Sequence, residues 1–490
     1  MKANLLRISL TLIVGAFSPV NSRAQTNPAA PPAAPPKFST ASPGLVNEWL
    51  REQSPEASAW DVGGQFRLRF EHKEHFAAPG VPGAADFRRV GGNSDNTYWL
   101  LREKFHLGYA PCPWFSIYGE ARDSSSQKDD RNPNPEADVF DLHQALLSLG
   151  NAKEWPITAK VGRQEMIYGD ERLIGASDWG NVGRVFDAAK LRFENKDLWV
   201  DGFMSRVVLV DDNNFNEAND YDFFSGVYAS TRTLVPKQET QLYVLARNAS
   251  PESLAAIGPG LPALLTGATP RDIYTVGLRI KSLPGQFGGW DYEAELAGQF
   301  GRFKFAAAGP SLDHTAFAGH VAGGYTWTEA LASPRLGLEY NFATGDSDPA
   351  DGEHGTFENL FPTNHKSYGY MDFVSWQNLH DARLAAAVRP CQKVMVTADY
   401  HAFWLADTQD FFYQVNGAAR TAAGYGINPN ADAYAGSEVD LVVTYAIRPR
   451  AMAQAGYGHF FVGDYVKDSL QGVGGASDAD YIYVQLVVSF

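Results

Sequence analysis

The sequence predicts an all-β fold: a transmembrane antiparallel up-and-down β-barrel of about eighteen strands. Three observations carry that prediction. Segments of about ten residues alternate apolar and polar side chains, the signature of spanning strands. Short turns alternate strictly with long loops. The last segment alternates right up to a terminal aromatic, Phe490.

The chain starts with a targeting signal. Lys2 and Arg7 form a positive n-region, residues 8–17 are apolar, and Ser22-Arg23-Ala24 offers small residues for cleavage after Ala24. The apolar stretch is too short to cross a bilayer as a helix. Residues 1–24 are therefore expected to be a signal peptide. Residues 25–57 are expected to be a Pro/Ala-rich linker, and 58–490 the barrel. Subtracting the charges of Lys2, Arg7 and Arg23 takes the formal net charge from −15 to −18. An acidic balance argues against a nucleic-acid partner. The aromatic content (30 Phe, 22 Tyr and 11 Trp, against 6 Met) suits aromatic girdles at two membrane interfaces.

Candidate strands begin near Trp60, Thr97, Trp114, Val139, Ile157, Arg184, Leu198, Tyr221, Gln238, Asp272, Gly289, Asp313, Arg335, Asp381, Lys393, Ser437, Arg450 and Asp480. A soluble sandwich would give the same period-two pattern, so the connections decide. Short links include Ala110-Pro111-Cys112-Pro113, Pro236-Lys237 and Pro390-Cys391-Gln392. Long ones run near 72–95, 125–138, 169–183, 211–219, 249–270, 302–312, 344–380, 407–436 and 464–478. Short periplasmic turns and long extracellular loops are the outer-membrane pattern. An even strand count puts both termini in the periplasm. The final strand, ending at Phe490, has the form of the signal read by the barrel-assembly machinery. Cys112 and Cys391 lie in separate turns and are expected to be free thiols, since a disulfide needs Cα atoms within roughly 7 Å.

The apolar face must meet lipid, because an Arg or Lys facing the bilayer midplane costs about 2–4 kcal/mol. Charged residues in the opposite register must therefore face the lumen. Arg67, Arg69, Arg102, Lys104, Arg122, Lys190 and Arg192 form a basic arc on the early strands. Glu239, Glu293, Glu295 and Glu339 form an acidic arc on later ones. Two roles remain open for the basic arc: a constriction that selects anions, or a ladder of interior ion pairs that stiffens the wall.

Residues 161–187 carry a more specific pattern. Val161-Gly162-Arg163-Gln164 leads into Tyr168-Gly169-Asp170-Glu171-Arg172-Leu173-Ile174-Gly175, followed by Trp179, Asn181, Arg184, Phe186 and Asp187. Further on come Gly355-Thr356-Phe357, Phe361-Pro362-Thr363-Asn364-His365 and Tyr368-Gly369-Tyr370-Met371-Asp372. These segments resemble the bacterial alginate-export porin family, and the likeness extends from about residue 60 to 490. The resemblance implies a single-chain outer-membrane channel with a positively lined pore for a polyuronate. By position it adds Arg163, Arg172 and Arg184 to Arg192 as substrate-binding residues; guanidinium forks suit carboxylates. Interior acids are more numerous than such a pore favours. Arg163 also shares a register with apolar Ile157, Ala159 and Val161. Either a bulge at Gly162 turns it inward or the strand has reached the rim, and pairing with Asp170 or Glu171 is the alternative to a substrate role.

Asp346, Asp348, Asp351 and Glu353 could hold Ca²⁺, which takes clustered carboxylate oxygens; residues 211–220 are a weaker case. No other cofactor is expected. No Gly-x-Ser-x-Gly elbow, zinc spacing or phosphate loop occurs. The expected function is therefore a passive, monomeric, non-enzymatic channel for an anionic sugar polymer or oligomer, embedded in outer-membrane lipid. A porin for small anionic or polar solutes is the alternative within the same class. A barrel hydrolase is the alternative from a different class.

Overall fold

Sixteen of the eighteen predicted strand starts fall within two residues of strand starts in the structure, a computed structural model. It describes residues 44–76, 86–88, 94–131, 134–250, 270–305, 309–421 and 424–490. The expected signal peptide and residues 25–43 of the expected linker lie outside the described residues. Among the described residues, eighteen antiparallel strands close on themselves. They are β1 (Trp60–Glu74), β2 (Asn96–Cys112), β3 (Phe115–Gln127), β4 (Asp138–Leu149), β5 (Ile157–Gln164) and β6 (Phe186–Glu194). Next come β7 (Leu198–Leu209), β8 (Glu217–Thr231), β9 (Gln238–Ala249), β10 (Arg271–Ser282), β11 (Trp290–Phe303) and β12 (Leu312–Thr326). The last six are β13 (Arg335–Ala343), β14 (Leu379–Cys391), β15 (Val394–Leu405), β16 (Tyr434–Arg448), β17 (Ala451–Val462) and β18 (Ala479–Ser489).

Each strand pairs with its neighbours in sequence. Pairing of β1 with β18, from Gln65 opposite Ser489 to Glu74 opposite Asp480, closes the ring and removes the sheet edges that hydrocarbon could not satisfy. The apolar set faces outward: Leu191, Met204, Val244, Leu296, Phe317 and Leu338 are each about half exposed or more. That inverts a soluble core and is what a lipid solvent demands. Trp60 stacks against Tyr109 at one end of β1–β2, and Phe70 against Trp99 at the other. The ten-residue step between Tyr109 and Trp99, at about 3.4 Å per residue and a tilt near 40°, spans about 26 Å, the height of an outer-membrane apolar band.

Both chain ends of the barrel sit on the short-turn rim. Phe490 and Gly64 exchange backbone hydrogen bonds of 3.0 and 3.1 Å. A Cβ at Gly64 would stand 2.7 Å from the Phe490 ring, so the terminal aromatic closes over a glycine. The stretch expected as linker ends in a helix, α1 (Leu45–Gln53). Asn47 ties it to the inner wall, donating to Asp61 at 2.7 Å and accepting from the Val62 N–H at 2.8 Å. A short second helix, α2 (Asp464–Leu470), caps the long-loop rim. Cys112 and Cys391 are free and exposed, as expected.

Candidate pore constriction and charged lumen

Two of the long connections, 165–185 and 355–378, fold into the lumen and join there. Gly175 donates to Phe361 O (2.8 Å), Phe361 to Leu173 O (3.0 Å) and Thr363 to Glu171 O (2.9 Å), and Ile174 bridges Phe361 in parallel. Lys366 clamps Asp170 and Glu171 at 3.0 and 3.2 Å. Burial disfavours charge on Asp170, but Lys366, Arg172 and Arg279 overcome it and hold the carboxyl well below its usual range. The His365 ring stacks on Trp179 at 3.9 Å.

Most of the predicted basic arc is spent holding these loops. Arg67 donates to the carbonyls of Asp178 and Gly180, both at 2.8 Å. Arg69 donates to Trp179 O (2.8 Å), pairs with Glu71 (2.7 Å) and lies 4.1 Å over the Trp179 ring. Arg102 binds the Asp178 carboxylate at 2.8 Å and Gln65 at 2.9 Å. Lys104 reaches Asp178 (3.3 Å), Glu165 (3.5 Å) and Glu120 (3.7 Å). Arg122 joins Val182 O to Asp138, and His143 Nδ1 accepts from it at 2.7 Å. Arg67, Arg69, Arg102 and Arg122 are each at most 4 % exposed. At these positions the guanidinium groups form ion pairs and anchor the loops, and they are too buried to present their remaining donors to the lumen.

The three arginines added by the resemblance behave likewise. Arg172 is buried against Glu339 (2.8 Å), Asn341 (3.1 Å) and Tyr368 (3.1 Å). Arg184 donates to Pro362 O (2.7 Å) and Gly175 O (3.2 Å). Arg163 is not in the lumen. The β4–β5 and β5–β6 registers run without a shift, so it keeps the outward face of Val161 and pairs with Asp187 at 2.8 Å, not with Asp170 or Glu171. The rim alternative was the correct one. Gly162 (φ 123°) serves a close approach instead of a bulge: a Cβ there would stand 2.2 Å from Ala145 O.

Cations with solvent access lie lower, in the short-turn half. Lys190 and Arg192 share one acid, Asp201, at 3.6 and 2.5 Å. Lys160, absent from the predicted set, sits opposite Lys190 in register and within electrostatic reach of Lys190, Arg192 and Asp201. Arg192 lies 4.5 Å over the Trp199 ring, which stacks on Tyr228. Three cations, Lys160, Lys190 and Arg192, set against Asp201 and Glu194 (3.7 Å from Arg192) beside an aromatic face make an electropositive stretch of the inner wall. At the constriction, by contrast, the accessible groups are mixed: Asp178 is 57 % exposed and Lys366 44 %.

The Ca²⁺ expectation meets a different geometry. Asp346 is buried and accepts the Asp348 N–H (3.2 Å), Asp348 accepts the Ala350 N–H (3.1 Å), and Asp351 accepts the Glu353 N–H (2.8 Å). These carboxylates cap turns of their own loop. Among the described residues the one group of three metal-ligand side chains with atoms within 4.8 Å of one another is Glu120, His143 and Glu165, so the predicted four are not drawn together. The Lys104 ammonium lies against that group's two carboxylates.

What residue-by-residue alternation missed is the loop contribution. Asn181 is fully buried and donates to Leu101 O, Ser125 O and Glu136 O at 3.0–3.2 Å. The available signal was a long connection with four glycines between strands that carry many inward charges.

A family model described as alginate export matches residues 59–477. No curated protein matches the chain in sequence. Solved structures share the fold. Pseudomonas aeruginosa OccK2 (OpdF) in complex with glucuronate is 13 % identical, with 88 % of this chain and 98 % of that chain covered and a TM-score of 0.53. For OpdQ of the same organism the values are 10 %, 88 %, 97 % and 0.54. For OccK1 (OpdK) they are 13 %, 88 %, 98 % and 0.52.

Proposed function

The chain belongs to the alginate-export family, an outer-membrane β-barrel channel, and from that premise we propose that it passes an anionic sugar, polymer or oligomer, from rim to rim. The observation that carries this is the Lys160, Lys190, Arg192 and Trp199 patch. Cations attract a carboxylate, the indole face suits a sugar ring, and neither grips tightly enough to stop transit. The two infolded loops favour a second reading, a pore for single sugar acids or other small anions, because they narrow the passage. The glucuronate of the OccK2 structure is a solute of that kind. Both readings place the short-turn rim, and both termini, in the periplasm.

Reversal potentials in planar bilayers test the proposal. The wild type is expected to prefer anions. Reversing one charge within about 7 Å of a passing ion shifts its energy by about 1 kcal/mol in a water-like medium, about fivefold and of opposite sign for anion and cation, so Lys160→Glu should lower the anion/cation permeability ratio up to about thirtyfold. A cation-preferring wild type would sink the anionic-solute reading.

A further inference from the structure

Loop 355–378 is pinned to the wall by two acids. Glu438 and Asp440 on β16 face the lumen side and are 0 % and 1 % exposed. Glu438 Oε1 accepts the Met371 N–H at 2.9 Å, and Asp440 Oδ2 accepts the Tyr370 N–H at 3.3 Å. The loop backbone is drawn hard onto them: at Gly369 (φ 90°) a Cβ would stand 2.5 Å from Glu438 Oε1. The adjacent backbone N–H groups of Tyr370 and Met371 thus hold the two carboxyl groups side by side on one face of β16. Their remaining oxygens, Glu438 Oε2 and Asp440 Oδ1, are buried and have no hydrogen-bond partner among the described residues.

Among the described residues no cation hydrogen-bonds these oxygens, and the nearest, His401, is within electrostatic reach of Asp440 but engaged elsewhere. On β15, His401 lies opposite Glu438 and is bound to Asp381 (2.9 Å), while Asp399 lies opposite Asp440 and is bound to Arg383 (2.9 Å). On β17 the opposite residues are Phe460 and Gly458. The loop brings Tyr370 and Asp372, the latter held by His365 at 3.0 Å, and β18 brings Tyr483. Ionised carboxylates offer acceptors only, so two of them side by side in a dry site need a proton between them.

We propose that Glu438 and Asp440 form a proton-operated latch: with one proton shared between them residues 369–373 stay folded into the lumen, and its loss frees this loop apex and widens the passage. Removing the proton places two adjacent negative charges where the only donors are two backbone N–H groups. The relief available is to release the loop and admit water.

The test uses the full barrel in vesicles with Cys112→Ser and Cys391→Ser, and a single thiol introduced by Val374→Cys, a position 1 % exposed. Maleimide labelling is followed from neutral pH to about pH 10 and normalised to a protein retaining only Cys112, which corrects for thiolate fraction. Release linked to one proton should raise the normalised rate about tenfold per pH unit through the transition, with conductance rising in the same range. Glu438→Gln should abolish the rise, because its amide supplies the missing donor permanently. Asp440→Asn should do the same and serves if the first variant does not insert. A flat profile without either substitution, or an unchanged rise in both variants, overturns the latch.

Discussion

A lumen-facing arginine is not automatically a solute ligand; its partners decide. Arg67 and Arg69 give their donors to carbonyls of loop 165–185, and Arg102 gives two to the Asp178 carboxylate. Asp178 itself is more than half exposed, so the solvent-facing charge at that point is negative although the strands beneath are basic. Asp178→Asn should therefore raise the anion/cation permeability ratio, and reversal potentials read it directly. Because the aspartate is partly solvated, the stability lost is expected at about 1–2 kcal/mol, below the roughly 3–5 kcal/mol for breaking a fully buried pair. Arg67→Gln, which touches only loop carbonyls and the Asn181 amide oxygen, should leave selectivity unchanged while raising conductance noise as the loop loosens.

At the scale of elements, loops here do the work of a core. The stretch 344–357 is fastened to 406–413 through Asp410, whose carboxylate accepts from the Asp346 N–H (3.0 Å), the Thr356 hydroxyl (2.6 Å) and the Tyr413 hydroxyl (2.9 Å). Burial pushes this carboxyl up from 3.8 to about 6, further than the hydrogen bonds from Thr356 and Asp346 can restrain it. The folded-state value lies above the unfolded one, so the protonated form favours the folded loops. That contribution is fully present below about pH 4 and is lost as pH rises through about 6, on the order of 3 kcal/mol at most. Hydrogen-exchange protection factors across 406–414, corrected for intrinsic rates, are expected to be higher at pH 4.5 than at pH 7, and Asp410→Asn should flatten the difference. Equal protection at both pH values in the wild type would show that burial does not set this group.

The whole molecule is organised around an apolar belt with one interruption. Glu103 and Asp123 are paired in register on β2 and β3 and face outward between the girdles, with Phe66 opposite Glu103 on β1. Neither makes an ion pair or side-chain hydrogen bond among the described residues. Lipid-facing acids cost less than Arg or Lys but still oppose insertion. Glu103→Leu with Asp123→Leu should stabilise the barrel against denaturant in vesicles by about 1–2 kcal/mol. No gain would mean that this wall does not face hydrocarbon.

Alternation fixed which side of each strand meets lipid, and turn length fixed the strand count and the shared rim of the two barrel ends, because period two and connection length are local properties of a chain. The resemblance at 161–187 implied substrate-binding arginines there; that residues 165–185 fold into the lumen is a matter of tertiary structure. Tertiary structure alone decided the fate of the charges. Arg163 stays outside because its strand carries no bulge, the upper arginines close on loop carbonyls far away in sequence, and the accessible basic patch moves down to Lys160, Lys190 and Arg192. Whether a charge inside a barrel is free or spent depends on partners brought by other strands and loops, for Arg67 and Arg172 from more than a hundred residues away, and no local pattern records them.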